Sequence, residues 1–139
     1  KERRFCTHTM QHFLDVARLM YIYALEDDLI CEDRLSGELI YAAALLHDIG
    51  RYQQLCTGRG HHEAGADLAE KILKDRGADE EFVLRVTNAI LKHRSECRDE
   101  DILAEYLYRA DKASRCCFMC EARAECSWPD SKKNFRIER

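Results

Sequence analysis

At 139 residues the chain is long enough to form one domain with a substantial core, and its 46% hydrophobic and 35% charged residues argue against intrinsic disorder. A net charge of -4 offers no general attraction to a nucleic acid polymer or to an anionic membrane. No apolar run reaches the roughly 18–20 residues that cross a bilayer. The chain begins with Lys1 rather than Met, so we expect further residues to precede it in the natural protein.

Helical periodicity runs through the chain, which has one proline, six glycines and no sustained β-type alternation. Gly50 ends the second predicted helix, and a loop containing Gly58 follows it. The sequence thus predicts an all-α bundle, with a single domain over residues 1–139 and a Cys-rich C-terminal appendage over about 116–139. The pattern predicts five helices, over about 7–25, 36–49, 61–75, 79–92 and 99–121.

The second predicted helix is apolar on nearly every side and ends in His47-Asp48. An all-round apolar helix is typically surrounded by other helices. Two ionisable residues at the end of such a buried helix are costly unless they have partners, and a metal ion is one such partner.

Each of the other predicted helices carries a potential metal ligand on its apolar face. Each has an ordinary alternative when taken singly, such as a hydrogen-bonded core histidine or an ion pair between Asp111 and Arg115. Inward positions on five helices at once favour a common cation instead. Imidazole and carboxylate ligands without thiolates suit manganese, iron, cobalt, nickel or zinc. The four residues are His12, His61, His93 and Asp111.

The order of these residues resembles the HD superfamily of metal-dependent phosphohydrolases, which is named for the adjacent His-Asp pair. The flanking blocks HFLDVA, ALLHDIGR and LYRADK agree with that pattern. The blocks HHEAGA and AILKH resemble the histidine-containing segments of the binuclear members. The resemblance covers about residues 7–115 and implies a helical bundle of about five to six helices around a metal site.

The resemblance also implies a set of ligands for one or two divalent transition metal ions. One ion is implied to be held by His12, His47, Asp48 and Asp111. Asp48 is implied to bridge to a second ion bound by His61 and His93.

Two of these ligands have a neighbouring alternative. His8 lies one helical turn before His12, but only His12 stands at the family's distance from the Val-Ala that follows. His62 is not separated from His61 by helical phase. We prefer His61 because it stands four residues before Gly65.

The reaction that the resemblance implies is hydrolysis of a phosphate ester or anhydride in a small phosphorylated compound, such as a nucleotide or dinucleotide. Divalent ions polarise a phosphoryl oxygen and lower the pKa of a bound water. The predicted catalytic residues are Asp48, Arg51 and Lys112. The predicted substrate contacts are Arg51, Lys112, Lys92 and Arg94, with Arg59 a weaker candidate; each could instead be an ordinary surface charge.

One feature departs from the mononucleotide-cleaving members, which carry a glutamate three residues after the Asp of the pair. Arg51 stands at that position here, which weakens a 5'-nucleotidase assignment. Two alternatives to a phosphohydrolase remain: a di-iron HD-type oxygenase, and a non-catalytic metal-containing sensor or binding domain. A homodimer is an open alternative to a monomer.

Eight cysteines are many for this length, yet six histidines and an ample core favour a reducing cytoplasm with free thiols. Four of them cluster late in the chain. Cys117 and Cys120 have the two-residue spacer of a small zinc site, but we predict that this spacer lies within a helix, which favours small core groups instead. Trp128 is predicted to pack the C-terminal tail against the bundle. The clustered cysteines are Cys116, Cys117, Cys120 and Cys126.

Overall fold

The computed structural model describes residues 6, 9–31, 34–94 and 101–137, and it confirms an all-α bundle. In the described ranges there is no strand, only isolated bridges near Leu35, and no helix there is long and apolar enough to span a membrane. His8 and the predicted starts of the first and fifth helices, at about residues 7 and 99, lie outside the described residues. The helices are α1 (Met10–Glu26), α2 (Gly37–Leu46), α3 (Arg51–Thr57), α4 (His61–Asp75), α5 (Glu80–Lys92) and α6 (Ile102–Ala113).

The apolar helix α2 lies at the centre of the bundle, where it packs against α1, α5 and α6. Its start is capped by Ser36, whose Oγ accepts a hydrogen bond from the backbone nitrogen of Leu39 at 3.1 Å. Leu39, Ile40 and Ala43 are buried, as the all-round apolar pattern predicts. The C-terminal end of α2 therefore lies in the interior of the protein.

The predicted second helix was wrong at its C-terminal end. The helix ends at Leu46 rather than Ile49, and a short helix, α3, occupies the segment that we predicted to be a loop. Gly58 ends α3 in the left-handed conformation, with φ 76°, and its nitrogen donates a hydrogen bond to the carbonyl of Gln54. The glycine therefore marks the end of a helix, not the middle of a loop.

The predicted fifth helix was also wrong, because α6 ends at Ala113 rather than near Glu121. Nδ2 of Asn134 donates hydrogen bonds of 2.7, 3.0 and 3.0 Å to the carbonyls of Lys112, Ala113 and Arg115. This amide from the C-terminal tail satisfies carbonyls that another helical turn would have used. After α6 the described chain forms three 3₁₀ turns, Cys117–Met119, Arg123–Glu125 and Asp130–Lys132.

Candidate metal centre

Asp48 follows the buried end of α2 and presents its two carboxylate oxygens to two different groups of histidines. Its Oδ2 lies 3.5 Å from Nε2 of His47. Its Oδ1 lies 3.4 Å from Nε2 of His61, at the start of α4, and 3.9 Å from Nε2 of His93, at the end of α5. A carboxylate placed in this way can bridge two cations.

His12 on α1 and Asp111 on α6 complete the group around His47. Oδ1 of Asp111 lies 3.5 Å from Nε2 of His12 and 3.8 Å from Nε2 of His47. On its other side, Nδ1 of His12 lies 3.2 Å from the hydroxyl oxygen of Ser114. Potential ligand atoms of His12, His47 and Asp48 lie within 4.8 Å of one another, and so do those of Asp48, His61 and His93.

Backbone carbonyls orient two of the imidazole rings. Nδ1 of His47 donates to the carbonyl of Ala44 at 2.7 Å, and Nδ1 of His93 donates to the carbonyl of Ile90 at 2.5 Å. In this tautomer the lone pair of each Nε2 points into the cluster, as it does in metal-binding histidines. Nε2 of His47 is buried and makes no hydrogen bond to any described residue. A buried nitrogen in this position fits a cation as its partner.

His61 and His93 are held in the form that binds metal ions. Burial, the largest influence on each ring, lowers the pKa of both to about 4. Both imidazoles are therefore neutral at pH 7, with a lone pair available for a ligand bond.

The group around His47 carries strong opposing charges. Burial would raise the pKa of Asp111, but the neighbouring rings of His12 and His47 and the charge of Lys112 lower that pKa well below its usual range. Burial would lower the pKa of His47, but Asp111 and Asp48 outweigh it and raise that pKa. A cation bound here takes the place of the His47 proton, because the ring must be deprotonated to act as a ligand.

Gly50 lets α4 approach the end of α2 closely enough for His61 to reach Asp48. A Cβ atom at Gly50 would overlap the carbonyl oxygen of His61 and the backbone nitrogen of Gly65. The sequence analysis treated Gly50 only as a helix stop and missed this role. Local sequence signals report turns, whereas this contact forms between segments that only the fold brings together.

His61, rather than His62, faces Asp48. His61 is buried, whereas His62 is half-buried and belongs to neither group of potential ligands in the described chain. Its ring centre lies 5.9 Å from that of His61. The geometry therefore agrees with the preference for His61.

A cavity of about 710 Å³ opens over these ligands. Asp111 is the one carboxylate among its described lining residues, so positive charge dominates the wall. An anionic compound fits such a wall better than a neutral or cationic one. The basic lining residues are Arg51, Arg94, Arg109, Lys112, Arg115 and Lys132, and the aromatic ones are Tyr23, Tyr108 and Trp128.

Two predicted catalytic residues contact candidate ligands directly. Nε of Arg51 donates to Oδ2 of Asp48 at 2.7 Å, and Nζ of Lys112 donates to Oδ2 of Asp111 at 2.5 Å. Both cations also line the cavity, so each can contact a ligand carboxylate and a bound anion.

The remaining predicted substrate contacts lie in different places. Arg94 lines the cavity. Lys92 does not, and its Nζ lies 3.8 Å from Oδ2 of Asp101; its role in substrate binding stays a prediction. Arg59 is exposed and pairs with Asp67 at 2.5 Å, away from the described lining residues.

The sequence analysis missed several residues of the cavity wall. Arg109 stands two residues before Asp111, which was a local signal that we did not use. Lys132 had no such signal, because the folded tail brings it to the cavity. Arg115 lies 3.4 Å from Asp111, as the ion-pair alternative predicted, and it also stacks on Trp128 at 4.0 Å.

Comparisons with known proteins agree with this geometry. The sequence model described as HD domain matches residues 9–116. An uncharacterized protein of Clostridium beijerinckii (strain ATCC 51743 / NCIMB 8052) is 39% identical over 137 residues, which are 99% of this chain and 83% of that protein. The 1.45 Å crystal structure of a predicted HD superfamily hydrolase from an uncultured Thermotogales bacterium is similar, with a TM-score of 0.68 at 25% identity. The similarity covers 91% of this chain and 70% of that one. Fold and ligand cluster together support a metal-dependent hydrolase.

Proposed function

The chain belongs to the HD domain family, and on that premise we propose that it hydrolyses a phosphate ester or anhydride in a small phosphorylated compound. The observation that carries the proposal is the position of Asp48. Its two oxygens face two groups of imidazoles beneath a cavity with a basic wall. One ion is assigned to His12, His47, Asp48 and Asp111, and a second to Asp48, His61 and His93.

Divalent iron, manganese, cobalt, nickel or zinc suits these nitrogen and oxygen ligands. When bound, such ions polarise a phosphoryl oxygen and lower the pKa of water toward 7. The residues of this chain position the metal ligands and supply positive charge to the cavity. The carbonyls of Ala44 and Ile90 hold the rings of His47 and His93 in position. Lys112 holds the carboxylate of Asp111 while it presents positive charge to the cavity.

The basic wall supports a phosphorylated substrate. Guanidinium groups match phosphate oxygens with two parallel hydrogen bonds, and a lysine supplies a compact positive charge. Arg94 and Arg109 line the cavity at positions where they can receive a phosphate. Arg51 stands one turn after Asp48, where it adds positive charge beside the candidate ligands.

The aromatic wall supports a substrate with a flat organic part, such as a nucleotide or dinucleotide. Trp128 and Tyr108 line the same cavity as the basic residues. Arg115 lies over the Trp128 ring at 4.0 Å and Lys112 lies 4.8 Å from the centre of the Tyr108 ring. The volume of about 710 Å³ lies within the range of small-molecule sites.

The test is hydrolysis by protein loaded with manganese, cobalt or ferrous iron, measured by chromatography of the nucleotide products together with assays of inorganic phosphate, pyrophosphate and tripolyphosphate. The panel contains nucleoside mono-, di- and triphosphates, dinucleotides and simple phosphate esters. We expect turnover of at least one nucleotide, and a fall of at least about 100-fold in Asp111→Asn, since even the loss of an outer partner of a metal ligand costs 10–100-fold. The amide keeps the size of the side chain and removes its charge.

Two outcomes overturn the proposal. If metal-loaded protein hydrolyses no member of the panel, the chain is a non-catalytic metal-containing domain. If a di-iron form consumes oxygen and cleaves carbon bonds without releasing phosphate, it is an HD-type oxygenase.

A further inference from the structure

A second cavity, of about 370 Å³, lies beside His12 and is lined by cysteines. One of them, Cys6, precedes α1, and the others follow α6. They make up five of the seven cysteines that are outside any disulfide in the described part of the chain. The five are Cys6, Cys116, Cys117, Cys120 and Cys126.

The local structure of these cysteines differs from the sequence prediction in a way that matters. The spacer between Cys117 and Cys120 forms a 3₁₀ turn rather than part of a helix, and the nitrogen of Cys120 donates to the carbonyl of Cys117 at 3.2 Å. A second 3₁₀ turn, Arg123–Glu125, leads into Cys126. Because the spacer is not part of an α-helix, its local structure no longer counts against a metal site at Cys117 and Cys120.

The thiols surround the cavity but do not converge on a single ion. Tetrahedral zinc, with bonds of about 2.3 Å, brings its sulfur ligands to about 3.8 Å from one another. In the described chain, no three potential ligand atoms around this cavity lie within 4.8 Å of one another. An iron–sulfur cluster holds its thiolates farther apart, because iron and sulfide ions lie between them.

We propose that this cavity binds a [4Fe–4S] cluster through Cys6, Cys117, Cys120 and Cys126. Cys117, Cys120 and Cys126 are half-buried, and a two-residue spacer recurs among cluster-binding cysteines. Cys6 supplies the fourth thiol from the α1 side of the cavity. Cys6 and Cys116 are both exposed. Cys116 is not assigned as a ligand because its thiol donates to the carbonyl of Ser114 at 3.8 Å.

The charges around the cavity suit an anionic iron–sulfur cluster. Each thiol loses its proton on binding iron, so a cluster with four thiolates is anionic. Arg115, Arg123 and Lys133 line the cavity and offset this charge, whereas Asp15 is the one carboxylate among the described lining residues. All four proposed ligands lie outside residues 9–116, the range that matches the HD domain. The two sites share no proposed ligand, although His12 also lines the cysteine cavity.

The first experiment measures iron, zinc, acid-labile sulfide and visible absorption in the full chain. The protein is purified without oxygen from iron-replete cells, and then incubated anaerobically with ferrous and ferric iron and sulfide. We expect about four sulfides per chain, with a visible absorption that dithionite bleaches. The variant His47→Ala should lose metal from the histidine–aspartate centre and keep its sulfide. The sulfide content therefore tests the cysteine cavity independently of the proposed phosphohydrolase activity.

Variants then identify the ligands. Cys120→Ser and Cys126→Ser should each lose most of the sulfide. Cys116→Ser should keep it, and so should the control Cys56→Ser, which alters an exposed thiol on α3 away from the cavity. Absence of sulfide after anaerobic reconstitution overturns the proposal, as does zinc bound by these thiols without sulfide. Full sulfide content in a Cys120→Ser/Cys126→Ser double variant overturns the assignment as well.

Discussion

The histidine–aspartate centre and the cysteine cavity both gather metal-binding side chains, but the chain builds them differently. At the first centre the side chains belong to five helices or their ends. Potential ligand atoms lie within 4.8 Å of one another in each of two groups, His12 with His47 and Asp48, and Asp48 with His61 and His93. Around the cysteine cavity they come from short turns after α6 and from the segment before α1, and the thiols are half-buried or exposed. Core packing therefore shapes the first centre, whereas attachment of the tail shapes the second.

Because the two sites are built differently, we expect the buried histidine–aspartate centre and the cysteine cavity to be sensitive to different substitutions. Substitutions within the helical core should alter the first centre together with the stability of the fold. Substitutions that loosen the tail should alter the cysteine cavity and leave the first centre in place.

The largest effect is expected for His47→Ala. His47 is fully buried and faces both Asp48 and Asp111, so its loss removes an imidazole from the middle of the centre. We expect roughly one to two equivalents of transition metal in the wild type and a strong reduction in the variant, by elemental analysis. His62→Ala is the control, since His62 belongs to neither ligand group of the described chain. Equal metal content in His47→Ala and wild type would contradict the ligand assignment.

Gly50→Ala should lower both the unfolding free energy of the protein and its affinity for metal at the histidine–aspartate centre. The added methyl group overlaps the backbone at the start of α4, and such overpacking costs about 1–3 kcal/mol of unfolding free energy. Urea denaturation measures this loss, and metal binding should weaken because His61 moves. In the control Gly37→Ala the new Cβ meets Tyr21 at an ordinary 3.4 Å. Similar stabilities for the two variants would show that the contact at Gly50 yields easily.

Asn134→Ala should change the reactivity of the thiols at the cysteine cavity without changing metal binding at the histidine–aspartate centre. It removes an amide whose two N–H groups are shared among three carbonyls at and just after the end of α6, and one such hydrogen bond contributes about 0.5–1.5 kcal/mol. Without these hydrogen bonds the tail detaches more readily, so the apo protein's thiols should react faster with a maleimide. Metal content at the histidine–aspartate centre should stay constant. The control is Ser131→Ala, at an exposed position of the same tail; equal thiol reactivity in both variants would count against the role of Asn134.

The smallest effect is expected for Arg94→Met, and it rests on the proposed function. Arg94 is exposed and lines the basic cavity, so its removal should raise KM for the phosphorylated substrate by about 3–10-fold with little change in kcat. Lys92→Met is the matched control, because Lys92 lies outside the described lining of the cavity and pairs with Asp101. The same KM in both variants would remove Arg94 from the substrate site.

Much of the fold and of the first centre could be predicted because the signals are local. The predicted helix over 61–75 coincides with α4, His61–Asp75. Helical phase put His12, His93 and Asp111 on faces that turn inward, and the fold brings all three to the His47-Asp48 pair. A ligand on the apolar stripe of a helix follows that stripe into the core.

The errors share a different cause. The end of α6 depends on Asn134, which lies about twenty residues farther along the chain, so the predicted helix continued past the true end. Lys132 and Trp128 reach the cavity through the same folding back of the tail. No periodicity within a helix reports such a contact.

The amino-acid sequence by itself determined the all-α class and the apolar helix faces on which His12, His93 and Asp111 lie, because helical propensity and periodicity act over a few residues. Its motif blocks also carried the resemblance to the HD domain family. Three features were visible only in the tertiary structure. The two oxygens of Asp48 face different groups of histidines, the absence of a side chain at Gly50 lets α4 pack closely, and the cysteines line one cavity. These features depend on distances between segments far apart in the chain, and those distances are set by packing of the whole core.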